Sequence, residues 1–420
     1  MILNETRRIP PVASLEYFLL QRKDNPTTSI VIGNEAGDAD TIVSAIALAY
    51  IESVFQPEAK EQKTPIVSIP HKDLLHRRPD VKLLLHLAGL SDLKSTLLFV
   101  DNDEFMKNLV NASVNVTLVD HNELEVKFQS QKHWKVTEIV DHHPDEGLYL
   151  DTCHGDAART IAFADEHALV ASACTLVAER LREVCLPPYP TSVSLLLLGV
   201  ILLDSVNLDE AVGKVTSRDR SAVANLLTNT DWLELPPSTQ ALLSVSEAKP
   251  IPNRTVFFHV LQSAKYDSGF WKSLSTEDAL RYDYKDYEYN DGTKTFGIST
   301  VLTSADVFFR RKHYAQSVLG FIKASELSFL GIMFAYEDEV SHQLVRQFGI
   351  CAELATPTKS IVDYLLTNTD LQLEKIRVRD LRSKGHSEEQ GLSCRLFHQR
   401  NIQDSRKQIA PFIFEALSAS

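Results

Sequence analysis

The sequence predicts an α/β protein in which a Rossmann-like domain with a parallel sheet is followed by a smaller α+β domain with a mixed sheet. Three observations carry this expectation. Up to about residue 235, apolar runs of roughly four to six residues alternate with longer amphipathic stretches, the texture of strands joined through helices. Strands joined that way run parallel through right-handed crossovers. Several of the apolar segments end in acids or imidazoles, at Asp38-Ala39-Asp40, Asp120, Asp141-His142-His143 and Asp204. The carboxyl edge of a parallel sheet is where such folds keep their chemistry. Past a proline-dense stretch the alternation gives way to longer strand candidates, which marks a second domain.

In order along the chain, Ser29–Ile32 reads as a strand, Asp40–Ser53 as a helix, and Pro65–Ile69, Leu97–Asp101, Val116–Asp120 and Thr137–Asp141 as further strands. Helices are expected at Ala168–Val184 and Ser192–Leu203, the second delivering Asp204. Leu235-Pro236-Pro237 and Lys249-Pro250-Ile251-Pro252 interrupt helix and strand alike. Residues 1–235 therefore form the expected first domain, 236–254 the connection and 255–420 the second domain. There, an opening helical segment precedes strands at Thr295–Val301, Leu327–Ala335 and His342–Gly349 and a basic, then helical, tail.

A chain of 420 residues suits two domains, and 44% hydrophobic with 24% charged residues is an ordinary globular balance. Met1–Arg8 lacks an apolar signal core and no apolar run is long enough to span a bilayer, so a cytoplasmic protein without membrane contact is expected. The net charge of −13 argues against duplex nucleic acid, which is held by basic surfaces. It does not exclude a small anionic substrate, because bound divalent cations reverse the local field. Cys153, Cys174, Cys185, Cys351 and Cys394 form no C-x-x-C pair and are expected as reduced thiols, with Cys174 a small core residue.

Taken singly, the acidic motifs have bland readings. Asp40 could cap the helix that follows it, Asp120 could end a strand in a turn, and paired histidines are common on surfaces. Asp204 is harder to dismiss, since an acid closing the apolar Leu195–Leu203 run calls for a partner or a cation. Together they compose a candidate metal centre. Mixed carboxylate and imidazole donors without thiolate suit Mn²⁺ or Mg²⁺, with Co²⁺ as an alternative, and two ions sharing a carboxylate can activate water for attack on phosphorus. Asp101 is either a group that orients a ligand or a strand-end cap.

Gly33 to Ala45, Val119-Asp120-His121-Asn122-Glu123, Val140-Asp141-His142-His143-Pro144 and Leu203-Asp204 follow the order of the four motifs of the DHH phosphoesterase superfamily. The chain resembles its second subfamily, which holds manganese-dependent pyrophosphatases, yeast-type cytosolic exopolyphosphatases and prune proteins. Asp283-Tyr284-Lys285 and Ser405-Arg406-Lys407 look like the D-x-K and S-R-K segments of the accompanying DHHA2 domain. The resemblance implies that Asp38 and Asp120 hold one ion, while Asp40, Asp120, His142 and Asp204 hold a second. It implies further that His143 and Asn34 meet substrate, that Lys285, Arg406 and Lys407 grip phosphates, and that the active site lies in the interdomain cleft.

The subfamily's pyrophosphatases carry a histidine where this chain has Asn34, and vertebrate prune proteins carry arginine where it has His143. Those departures favour a metal-dependent exopolyphosphatase that releases orthophosphate from polyphosphate through hydroxide on a two-ion centre. The alternatives are a prune-like phosphodiesterase acting on cyclic or short nucleotides, an inorganic pyrophosphatase, or a scaffold that has lost turnover. A basic run, Lys375, Arg377, Arg379, Arg382, Lys384, Arg395, Arg400, Arg406 and Lys407, would suit a polyanion, and Arg310-Arg311-Lys312-His313 could extend it.

Overall fold

The structure, a computed structural model, describes residues 13–56, 61–110, 112–155, 158–338, 343–376, 391–402 and 404–418, the side chain of residue 407 excepted. The chain divides into two compact units, Met1–Ala264 and Lys265–Ser420. Met1–Arg8 and the basic residues Arg377, Arg379, Arg382 and Lys384 lie outside the described residues.

In the first unit, β1 (Ser29–Gly33), β2 (Thr64–Ile66), β3 (Val114–Val119), β4 (Trp134–Asp141) and β5 (Arg159–Ile161) form one sheet in the order β2-β1-β3-β4-β5. Every pairing in it is parallel. Both faces are covered, as the continuous apolar strands require. Ile30, Ile32, Val116, Leu118 and Ile139 enter one core. Val31, Val119 and Val140 enter the other, with residues of the helices Ala39–Phe55, Ala173–Val184 and Thr191–Asp204. Helix Ala39–Phe55 buries each residue from Ala39 to Ser53, which explains an apolar character that runs around its whole circumference. Gly33 is where strand and helix nearly touch: a Cβ there would lie 2.3 Å from Thr41 Cγ2 and 2.9 Å from Thr41 O.

Some elements differ from expectation. Leu97–Asp101 makes only an isolated bridge, Val67 to Phe99, rather than a strand. The expected helix from Ala168 begins at Ala173, because Ser172 caps it and His167–Ala168 (β7) pairs with Phe163–Ala164 (β6) in a hairpin. The segment 236–254 contains the helix Pro237–Leu242 and buries Leu243 and Val245 in the first core, followed by Phe257, Phe258 and Leu261 of the helix Arg254–Lys265.

The second unit is built on a mixed sheet. Its strands are β8 (Tyr284–Tyr289), β9 (Lys294–Val301), β10 (Leu330–Glu337), β11 (Leu344–Glu353), β12 (Leu373–Lys375) and β13 (Leu392–Gln399), in the order β12-β13-β11-β10-β9-β8. β9 and β10 are parallel and the other pairs antiparallel. Phe296, Phe348 and Phe397 meet Ile409 and Ile413 of the helix Arg406–Ser418, while Ile332 and Phe334 pack with Val318 and Phe321 of the helix Tyr314–Ala324.

This sheet corrects the expectation of reduced thiols for one pair. Cys351 on β11 stands directly opposite Cys394 on β13, their Cα atoms 4.3 Å apart, and the two form a disulfide. Strand register made them neighbours, and a separation of 43 residues conceals that. Cys153, Cys174 and Cys185 are buried thiols. No helix of the described residues is long and apolar enough to cross a membrane.

Candidate metal centre

The chain runs from β1 outward to β2 and then returns to β3 on the other side of β1, so the strand order reverses between β1 and β3. At such a reversal the loops leaving adjacent strands part and open a crevice. Asn34 follows β1 and Asp120 follows β3. Asn34 Nδ2 donates to Asp120 Oδ2 at 2.9 Å and to the Asp120 carbonyl at 3.0 Å, closing the crevice floor. Asp120 takes a left-handed backbone, φ 60°, which asparagine and aspartate tolerate better than most residues. That turn ends the strand and leaves the buried carboxylate on its edge.

Asp120 Oδ2 also accepts from Thr41 Oγ1 at 2.8 Å. Its Oδ1 lies 3.2 Å from His142 Nε2 and 3.7 Å from His143 Nδ1. These three side chains converge closely enough to hold one ion between them. Asp40 joins from the helix Ala39–Phe55, its Oδ2 3.7 Å from His142 Nε2. Asp40 is braced by the start of the helix Ala173–Val184: Ser172 Oγ and the Cys174 amide donate to Oδ1 at 2.7 and 2.9 Å, and the Ala173 amide donates to Oδ2 at 2.7 Å. A helix N-terminus is a natural seat for a carboxylate. Asp38 caps the Ala39–Phe55 helix, accepting from the Thr41 amide at 3.0 Å. Its negative charge is felt at Asp120. Asp204 ends its helix half-buried, and its charge is felt at Cys174, which itself touches Asp40.

Burial, then the charges of Asp40 and Asp38, push the Asp120 carboxyl above its ordinary value despite its bond to His142. Burial alone would lower His142, but the hydrogen bond to Asp120 and the charges of Asp40 and Asp120 outweigh it and raise the imidazole. The cluster is short of positive charge, and a proton makes up part of the deficit. His142 Nδ1 lies 3.1 Å from the Val170 carbonyl, which can only accept, so Nδ1 carries hydrogen and Nε2 is the nitrogen left free to meet a cation. The donors are oxygen and nitrogen. The Cys174 thiol is driven well above its ordinary value by burial, then by Asp40, and stays protonated beside them. This set fits hard divalent cations such as Mn²⁺ or Mg²⁺.

Motif reading missed the residues that aim these ligands. Buried Asp141 accepts from His143 Nδ1 at 2.8 Å and from the His142 amide at 2.7 Å, which leaves His143 Nε2 as the outward nitrogen. Burial would raise Asp141, yet His143, Asn122 and His142 hold it at about 2. Asn122 uses its whole amide: Nδ2 donates to Asp141 Oδ2 at 2.6 Å and to the Pro144 carbonyl at 2.9 Å, and Oδ1 accepts from the Glu146 amide at 2.9 Å. It thereby locks the loop after β3 to the loop after β4. Both residues stood inside recognisable motifs, but only coordinates show what they touch. Asp101 accepts from the His71 amide at 3.2 and 3.3 Å and so caps the helix His71–Arg77.

In the second unit, Lys285 is exposed on β8 with Nζ 5.8 Å from the Tyr287 ring centroid. Arg406 opens the final helix and pairs with Asp283 at 2.7 Å. The Lys407 side chain lies outside the described residues. Arg400 is paired with Glu374 and Arg310 with Asp306, while Arg311 donates to the Trp271 and Ser275 carbonyls, so these basic groups are engaged within the unit.

A parallel sheet with carboxylates and imidazoles crowded at its switch point defines an α/β protein with a candidate centre for divalent cations. The chain belongs to the DHH family: residues 28–200 match the DHH family N-terminal domain and residues 261–416 the DHHA2 domain. It is 29% identical over 390 residues to "Exopolyphosphatase PRUNE1" of Rattus norvegicus, covering 93% of this chain and 75% of that protein. It is 27% identical over 409 residues to the Schizosaccharomyces pombe protein named "Putative exopolyphosphatase", covering 93% of this chain and 91% of that one. Among solved structures, "Crystal structure of Methanococcus jannaschii putative family II inorganic pyrophosphatase" has a similar fold, with a TM-score of 0.55 at 17% identity over 93% of this chain and 99% of the other.

Proposed function

We propose that the protein is a divalent-metal-dependent exopolyphosphatase that hydrolyses terminal phosphoanhydride bonds of inorganic polyphosphate and releases orthophosphate. The observation that carries the proposal is the convergence of buried Asp120 with half-buried His142 and His143, with buried Asp40 beside them, where carboxylates crowd closely enough to raise Asp120. The names of the rat and fission-yeast relatives support the substrate class.

In this reading Asp38 and Asp120 would hold one cation, and Asp40, Asp120, His142 and Asp204 a second. When bound, the cations would supply a more acidic water and neutralise phosphoryl charge in the transition state. The side chains do the rest. Asp141 and Asn122 fix the His143 ring, so that Nε2 faces outward and can give a proton to, or share one with, a phosphate oxygen. Asn34 braces Asp120 through both amide hydrogens and, in this reading, would meet the substrate beside it. Lys285, Arg406 and Lys407 would bind phosphates, with Asp283 setting the direction of the Arg406 guanidinium.

The test offers purified protein with Mn²⁺, Mg²⁺ or Co²⁺ long polyphosphate, tripolyphosphate, pyrophosphate and cyclic AMP in parallel. Orthophosphate release from the first two is the expected outcome. Preferential turnover of cyclic AMP would move the assignment to a phosphodiesterase. Inactivity towards all four with every metal would overturn hydrolysis.

A further inference from the structure

Outside all the acidic motifs, one buried arginine holds the loop that carries two of the site residues. Residues 34–38 turn from β1 into the helix Ala39–Phe55. The turn closes locally by bonds from the Ala36 amide to Asn34 Oδ1 at 2.9 Å and from the Gly37 amide to the Asn34 carbonyl at 3.3 Å, with Gly37 at φ 56°. The Ala36 and Gly37 carbonyl oxygens are then captured from a distant part of the chain. Arg78 Nε donates to the Gly37 carbonyl at 2.8 Å and Arg78 Nη2 donates to the Ala36 carbonyl. The arginine is 5% exposed, so these bonds operate away from bulk water.

The fork itself stands on a firm base. Arg78 is both the last residue of one helical turn and the first of the next: its amide donates to the Leu74 carbonyl at 3.3 Å, and its carbonyl accepts from the Lys82 amide at 2.9 Å. Leu74, Val81, Leu84 and Leu85 around it are buried in the core that also contains Ile69 and Ala39, and Asp101 caps the preceding helix from outside. Ile69 closes on the loop from that side, since a Cβ on Gly37 would fall 2.3 Å from its Cγ2. A planar guanidinium can bind two successive carbonyls only when both tilt to the same side, which constrains the peptide planes on either side of Gly37. Those planes set where Asn34 and Asp38 project.

We propose that Arg78 is a positioning residue for the cation site, acting through the 34–38 turn to hold Asp38 and Asn34 at the geometry that coordination requires. This rests on the metal-dependent reading above. A lysine at 78 would keep the charge and lose the fork, so the turn would gain freedom that a cation must then remove on binding.

The experiment titrates the whole protein and its Arg78→Lys and Arg78→Gln variants with Mn²⁺ alone, following unbound Mn²⁺ by electron paramagnetic resonance, with thermal unfolding in EDTA alongside. Both variants should bind Mn²⁺ roughly 10–100-fold more weakly, the loss typical of a group that orients a ligand. Activity on tripolyphosphate should recover as Mn²⁺ is raised, with KM for tripolyphosphate little changed. Wild-type Mn²⁺ affinity in a folded variant would overturn the positioning role while leaving the metal reading intact. Variants unfolded in EDTA at assay temperature would also overturn it, because Arg78 would then serve the core rather than the site. A wild-type protein that does not take up Mn²⁺ would bring down both readings.

Discussion

The first unit buries charge in two places, and the same three elements feed both. The helix Ala39–Phe55 contributes Asp40 near its start and Glu52 near its end; β4 contributes Glu138 and then Asp141; β3 contributes Thr117 and is followed by Asp120. At one cluster Lys63 Nζ lies 2.7 Å from Glu52 and 2.5 Å from Glu138, with Thr117 Oγ1 at 2.7 Å, and Arg180 reaches Glu52 at 3.0 Å and Glu138 at 3.7 Å. Two acids meet two bases and the account closes. Burial would lower Lys63, but Glu138 and Glu52 outweigh it and keep the ammonium charged. At the other cluster Asp40, Asp120 and Asp141 face His142 and His143, Asp38 adds its charge at Asp120, and among the described residues no lysine or arginine pairs with these acids. Burial of carboxylates does not by itself mark a site. A deficit of positive charge, maintained by backbone amides and hydroxyls that stabilise the acids without neutralising them, does.

Removing one carboxylate from each cluster breaks the comparison most directly. Asp120→Asn should abolish Mn²⁺ uptake and activity, a loss beyond the roughly 10–100-fold expected for an orienting neighbour. Its unfolding midpoint in EDTA should stay level or rise, since a buried acid crowded by Asp40 and Asp38 is gone. Glu138→Gln should do the opposite: it leaves buried Lys63 to share Glu52 with Arg180 and costs about 3 kcal/mol in urea unfolding, with Mn²⁺ affinity unchanged. If Glu138→Gln weakened cation binding as much as Asp120→Asn, the two clusters would be one network and the distinction would fail.

How much of this was legible beforehand follows from the same physics. The motif at Asp141-His142-His143 and the acids at 38, 40 and 120 could be read because apolar strands that end in charge are locally improbable, and β1, β3 and β4 each carry that signature. Arg78, Thr41 and Ser172 could not, because an arginine between two short helices and hydroxyls at helix starts are ordinary in any sequence, and only tertiary contact gives them a role. Strand β13 was hidden for a related reason. Leu392–Gln399 mixes buried and exposed positions around Arg395 and His398, which read as a basic tail until its pairing with β11 is seen. The disulfide was invisible with it.

A pH series sharpens the contrast with a smaller effect. In the cation-free protein burial, then Asp40, push the Asp120 carboxyl above its ordinary value, so the stability it contributes is complete below the unfolded value and is lost as pH rises through the folded one. His142 titrates at about 10 against 6.5, and its contribution is likewise lost as pH rises, between 6.5 and 10. Cation binding must displace both protons. Mn²⁺ affinity should therefore increase with pH, most steeply in acid where both groups hold a proton, while the EDTA-treated protein loses the Asp120 contribution first and the His142 contribution above pH 6.5. Calorimetry in buffers of different ionisation enthalpy counts the protons released. A pH-independent affinity across pH 5 to 8 would show that the imbalance assigned to this cluster is absent.

The smallest expected effect concerns Asn34, which separates this chain from the histidine-bearing pyrophosphatases it resembles. Its two amide hydrogens both go to Asp120, one to the carboxylate and one to the main chain, and with Thr41 they occupy Oδ2, leaving Oδ1 towards His142. Asn34→His replaces two donors with an imidazole nitrogen that would face a carboxylate oxygen. That contact is unfavourable unless a proton or a cation stands between them, so the variant should bind Mn²⁺ more tightly on the Asp38 side and hold Asp120 less firmly. Pyrophosphate hydrolysis relative to tripolyphosphate should rise on the order of tenfold, a difference of about 1.4 kcal/mol. The ratio of the two kcat/KM values at saturating Mn²⁺ reads it, free of any general loss of activity. An unchanged ratio with tighter Mn²⁺ binding would mean that residue 34 tunes the cation but not the substrate, and that the choice between short and long phosphates is made among the basic side chains of the second unit.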